Sequence, residues 1–241
     1  MKRQTGFLLV ASLLVNAGCV TRPPTIAHVH IGHALTGVHV TPEKEGYLVT
    51  AERRAKETDE LAKKASAARD LAEIKTFIAE AVKATTSEED FGVQHALTMA
   101  AHHISFAATS DDASLNVQRA APIFSGDIAR VIERCELIGL LGKDIAASTS
   151  VQEAKVSVDE IVKLADANIS GDDANGDGKT GSVPAEYGLV QLRAELEAIV
   201  ARENPRYVTV DQWYLFNLVR LPNGKWVFDK LGRGGNIEGY K

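Results

Sequence analysis

Cysteine is scarce in this chain, with two in 241 residues; aromatic side chains make up only 6%, and there are seven prolines. Cys19 closes an N-terminal apolar segment, so Cys135 stands alone in the rest of the chain and has no partner for an internal disulfide. Cys-x-x-Cys-His is missing, which excludes covalent haem. Also missing are His-Glu-x-x-His, Gly-x-Ser-x-Gly and the Walker phosphate loop, which removes the commonest zinc-protease, serine-hydrolase and nucleotide-binding sites. Lys and Arg total 27 against 32 Asp and Glu, for a net charge of −5, and no basic stripe interrupts this balance. Nucleic acid is therefore not an expected partner. Alanine outweighs aromatics in the apolar fraction, which favours closely packed helices.

The N-terminus carries the first positive signal. Lys2 and Arg3 precede an apolar run over 7–15, and Ala17-Gly18-Cys19 closes the segment. A charged start, a short apolar core and small residues at the end describe an export signal over 1–18, too short to span a bilayer stably. Ala-Gly-Cys resembles the lipobox of bacterial lipoproteins, although Asn16 stands where that family usually carries Leu or another small or apolar residue. The resemblance implies diacylation of Cys19, a membrane partner through the lipid anchor and, with Val20 next, the periplasmic face of the outer membrane. An ordinary signal peptide cleaved near Gly18, leaving a free periplasmic protein, is the alternative. Loss of 1–18 removes two basic residues and no acids, taking the charge from −5 to −7.

The remaining chain reads as mainly α, a four- or five-helix bundle with a C-terminal β-hairpin. Pro23, Pro24, Pro42, Gly32, Gly37 and Gly46 predict an extended or looped segment over 19–46. Composition then switches to Ala, Glu, Lys and Arg, and the bundle is expected over 47–204. Apolar spacing predicts helices over about 50–85, 91–108, 113–141, 151–168 and 185–202. The first is weakly apolar in its leading half, which suggests that this half is solvated or jointed; Pro122 predicts a kink or break in the third. Alternating β-branched and aromatic residues over 207–221 and 225–228, with Asn223-Gly224 between them, predict the hairpin, and a loose tail completes the region 205–241.

Two stretches carry metal chemistry. His28, His30, His33 and His39 fall within twelve residues, and the other three histidines, His95, His102 and His103, share one predicted helix. Imidazole is the commonest metal-ligating side chain. On an extended segment His28 and His30 point to one side, and Gly32 permits a turn that returns His33. On the helix, His95 and His102 share a face, while His103 points about 100° away from His102. The expected transition-metal site is therefore His28, His30 and His33 with His102, joined by His95, and suits zinc, copper or iron.

The second stretch is Asp173-Ala174-Asn175-Gly176-Asp177-Gly178-Lys179. Side-chain oxygens at positions 1, 3 and 5 followed by a glycine resemble the opening of an EF-hand calcium loop. The resemblance implies calcium held over 173–186 by Asp173, Asn175, Asp177 and the Lys179 carbonyl. Position 12 is Pro184 in place of the family's Glu, so Glu186, two residues later, takes the closing role if the loop carries an insertion. A single loop, without the pairing of sensor EF-hands, points to a structural role for calcium.

Three functions follow. The first is an exported, lipid-anchored metal-binding protein with a transition metal at the histidines and structural calcium at 173–186. The second is a metal-dependent enzyme with an open coordination position, for which no reaction and no general base can be named. The third is an envelope scaffold or interaction protein with incidental histidines. The first is preferred, and a non-enzymatic role with it.

Overall fold

A computed structural model describes residues 25–204 and 206–207, together with the backbone of three short segments nearer the C-terminus. The export signal, Cys19 and the loose tail lie outside the described residues. The protein is mainly helical, with α1 (Ile26–Leu35), α2 (Tyr47–Ala67), α3 (Leu71–Thr86), α4 (Val93–Thr109), α5 (Leu115–Ala147), α6 (Val151–Ser170) and α7 (Leu189–Ala201). No helix among the described residues is long and apolar enough to cross a membrane.

Helix α1 corrects the expectation of an extended segment over 19–46. Its prolines lie outside the ten helical residues, and its start is capped from two directions. Thr25 Oγ1 accepts the His28 N–H, while the Asp112 carboxylate accepts those of Ile26 and Ala27 at 2.6 and 3.0 Å. Three of the four amides that a helix start leaves unpaired are thus satisfied, two of them by a residue 85 or 86 positions away. That long-range cap is invisible to a local reading. The helix ends where Thr36 and Gly37 both donate to the Gly32 carbonyl.

The single helix expected over 50–85 is two. Asp70 accepts the Ala72 N–H and starts α3 afresh after Ala68 turns extended, so α2 and α3 form a hairpin of helices. The buried hydroxyls of Thr58 and Thr85, 3.0 Å apart, pair across it. Pro122 breaks nothing: α5 continues through it for 33 residues, about 50 Å. Pro122 is exposed, so water can serve the carbonyl that loses its amide partner.

That length lets α5 serve two apolar clusters. Its first half joins α1, the start of α2, α4 and α7 around Ile31, Leu48, Leu97, Phe124 and Leu192. The second half joins the end of α2, α3 and α6 around Ile74, Ile78, Ile138 and Ile161. Cys135, at the junction, is a buried thiol pushed up to about 12 by burial, so it is inert as a nucleophile.

Beyond α7, the backbone segments Trp213–Tyr214, Leu218–Arg220 and Trp226–Phe228 pair antiparallel in that order. Asn223-Gly224 lies outside the described residues, and these fragments do not establish the expected hairpin.

Candidate metal centre

Because α1 is helical, His30 and His33 stand three residues apart on one face, and His28 turns away from both. Helix α4 brings His103 against them. The Nδ1 atoms of His30 and His103 are 3.1 Å apart, and those of His33 and His103 are 3.2 Å apart. One ligating atom from each of the three rings lies within 4.8 Å of the other two. A ring nitrogen offers one lone pair or one proton, so the shared Nδ1 of His103 cannot serve both contacts at full hydrogen-bond strength. A cation among the three satisfies every lone pair at once. Imidazoles bound at the usual 2.0–2.1 Å in tetrahedral geometry place their nitrogens about 3.3 Å apart, within a few tenths of an ångström of the two spacings that His103 makes.

Aromatic neighbours fix the rings. His103 stacks on buried Tyr47 with ring centres 5.1 Å apart and meets Phe106 edge-on at 5.8 Å. Phe106 also packs against His30 at 5.5 Å. Burial pushes His103 down to about 3 and His33 to about 4, with repulsion from neighbouring histidines adding to it. His30 is lowered as well, by burial, against the opposing pull of Asp112. All three are therefore neutral at pH 7 with their lone pairs available.

The same shifts couple the site to acid stability. As pH falls below 6.5 an unfolded chain protonates these imidazoles, whereas the folded chain does not until about pH 4 for His33 and 3 for His103. Stability is therefore full above pH 6.5 and is lost progressively as pH falls toward those values. Urea midpoints of metal-free protein should drop between pH 7 and pH 4.5, and less so in His103→Asn. A pH-independent midpoint over that range contradicts the assignment.

Comparison of the chain with protein families, curated proteins and solved structures finds no match.

Of the expected ligands His28, His30, His33, His102 and His95, the structure brings only His30 and His33 together, and it adds His103. His28 is buried and bonds through Nε2 to Glu203 Oε2 at 2.9 Å. Glu203 also accepts from Ser114 Oγ at 2.7 Å and Asn116 Nδ2 at 2.6 Å. Its burial alone would raise the carboxyl pKa, but these three donors outweigh it and hold Glu203 low. His102 faces solvent. His95 sits edge-on to Phe91, with ring centres 5.1 Å apart, and does not join the cluster. His103 points away from His102, and that direction brings it inward onto α1. The missed signal is its register: position 103 falls on the buried stripe of Ala96, Ala100 and Ala107.

The loop at 173–186 wraps its amides onto its own side chains. Asp173 accepts from the Asp177 and Gly178 N–H groups, Asn175 Oδ1 from Asp177 N–H, and Asp177 from Lys179 N–H, all at 2.8–2.9 Å. Gly178 at position 6 has φ +79°, the left-handed turn that favours glycine there. Glu186 is fully buried and does reach the loop: Oε1 accepts from Asn175 N–H at 2.9 Å and Oε2 from the Ser182 amide and hydroxyl, each at 3.1 Å. A 3-10 turn at Pro184–Glu186 supplies that reach. Arg134, buried on α5, pins both ends by donating to Asp172 Oδ2 at 2.8 Å and the Tyr187 carbonyl at 2.7 Å.

Proposed function

We propose that this protein is an exported transition-metal-binding protein whose metal is held by His30, His33 and His103. The convergence of three neutral imidazole nitrogens from two helices carries the reading. Hydrogen bonding alone leaves that arrangement short of partners, whereas zinc, copper or iron completes it. The charged start, apolar core and Ala-Gly-Cys19 of the N-terminus support export and a lipid anchor at the outer membrane. Tag-free protein stripped with chelator should take up one equivalent of zinc or copper per chain at micromolar concentration. Failure to retain either metal refutes the proposal.

Calcium is proposed separately for the loop, with Asp173, Asn175, Asp177, the Lys179 carbonyl and Glu186 as ligands. The amide cradle and the buried closing carboxylate support it, and its role is to pin the α6–α7 connection. Calcium at a hundred times its dissociation constant should raise unfolding stability by about 2.7 kcal/mol, and Asp173→Ala should remove the gain. Identical melting curves in calcium and in chelator refute the site. For the C-terminal region we propose a hairpin closed near Asn223-Gly224, on the strength of the turn chemistry.

A further inference from the structure

We propose that the three-histidine centre is an open Lewis-acid site, in which the bound metal keeps coordination positions free and takes a small anion from solution. This rests on the metal-binding reading and deepens it.

All seven histidines of the chain are among the described residues, and the other four are placed elsewhere. His28 is bonded to Glu203 and His95 packs on Phe91; His39 and His102 face solvent and, although their charges reach His33 and His103, neither offers a ligand atom to the cluster. Among the described residues no cysteine or carboxylate joins the three imidazoles. Asp112, whose charge reaches His30, uses one oxygen on the Ile26 amide and the other on the Ala27 amide. Structural zinc sites close with four protein ligands, whereas three protein ligands with water or substrate in the fourth position mark sites that exchange ligands.

Charge points to the class of ligand. Three neutral imidazoles leave a divalent ion with its whole +2 charge, so an anion is the ligand that relieves it. Access is present too, because His30, His33 and His103 are each only partly buried. Phe106, 52% exposed, stands beside His30 and His103 on the same side.

The test uses cobalt(II) as a spectroscopic stand-in for zinc, added to full-length, tag-free, metal-free protein and followed by azide. One cobalt per chain is expected, with a visible band that shifts in position and intensity to saturation at one azide per cobalt. His102→Ala should keep that response; His103→Ala and His33→Gln, each checked for helicity by circular dichroism, should lose it. A bound cobalt whose band azide leaves unmoved overturns the open site and leaves the metal reading standing. Absence of stoichiometric cobalt binding overturns both. An azide response that survives in both ligand variants places the anion elsewhere and overturns the inference.

Discussion

His103→Ala is expected to weaken transition-metal binding by more than the ~10–100-fold that loss of an outer-shell partner alone costs a metal site. His103 supplies the atom that both other nitrogens approach, at 3.1 and 3.2 Å. Without it, α1 offers only two imidazoles and no tie to α4, so the metal loses a bond and the link between helices together. His102→Ala, one residue away on the solvent side, should leave affinity within twofold. Competition titrations against a chromogenic chelator measure both. The reverse ranking, with His102 essential and His103 dispensable, would falsify the centre. Alanine at 103 also removes a ring stacked on Tyr47, so affinity should be compared at a temperature where circular dichroism shows each variant folded.

Glu203→Ala carries the largest expected effect on stability. Glu203 and His28 have side chains 1% and 2% exposed, and the carboxylate also gathers Ser114 and Asn116. Truncation removes the carboxylate that His28, Ser114 and Asn116 share, while Asn116 keeps the Ile199 carbonyl. At ~1.5–3 kcal/mol for each hydrogen bond to a charged group, the loss of three, partly compensated, should cost about 3–5 kcal/mol. For a chain of this size that corresponds to a fall of about 10 °C in Tm. The pair joins α1 to the segment just after α7, so the loss should appear as earlier release of the N-terminal helix in hydrogen exchange. Urea denaturation measures the total, and a cost below about 1 kcal/mol would show that water replaces the carboxylate. Replacing both residues by apolar side chains of similar volume should recover part of the loss, because the desolvation of two polar groups disappears with them.

The two variants test different things about one helix. Glu203 acts at the start of α1 through His28, two residues from the first ligand, and His103 acts on the face that His30 and His33 present. The histidine-rich stretch is thus divided by helical geometry into a buried structural hydrogen bond and a candidate metal centre. Read as an extended strand, the same residues group the other way, with His28 and His30 together.

Much of the scaffold was readable from apolar spacing alone. The helices over 93–109, 115–147 and 151–170 carry long apolar stripes, and Ser114 and Ser150 cap the last two through their hydroxyls. The loop at 173–179 was equally legible, because Asp, Asn and Gly at alternating positions bond their own backbone wherever they occur. Local sequence sufficed for these since the forces involved act within a few residues. It failed for α1, whose cap comes from Asp112, and for Pro122, where exposure decided that a lost hydrogen bond could be tolerated.

What the chain settles without its fold is therefore a mainly helical protein with two concentrations of ligating side chains and a charged, then apolar, N-terminal run that ends at Cys19. Which histidines meet was decided only in three dimensions. A helix turns each residue by about 100°, so membership of the centre depends on whether 28–33 coils and on which face of α4 packs against it. Both depend on contacts between residues some seventy to a hundred and seventy-five positions apart, among them His30 with His103 and His28 with Glu203. Composition can gather imidazoles into a stretch of sequence; only tertiary packing brings three of their nitrogens to one point.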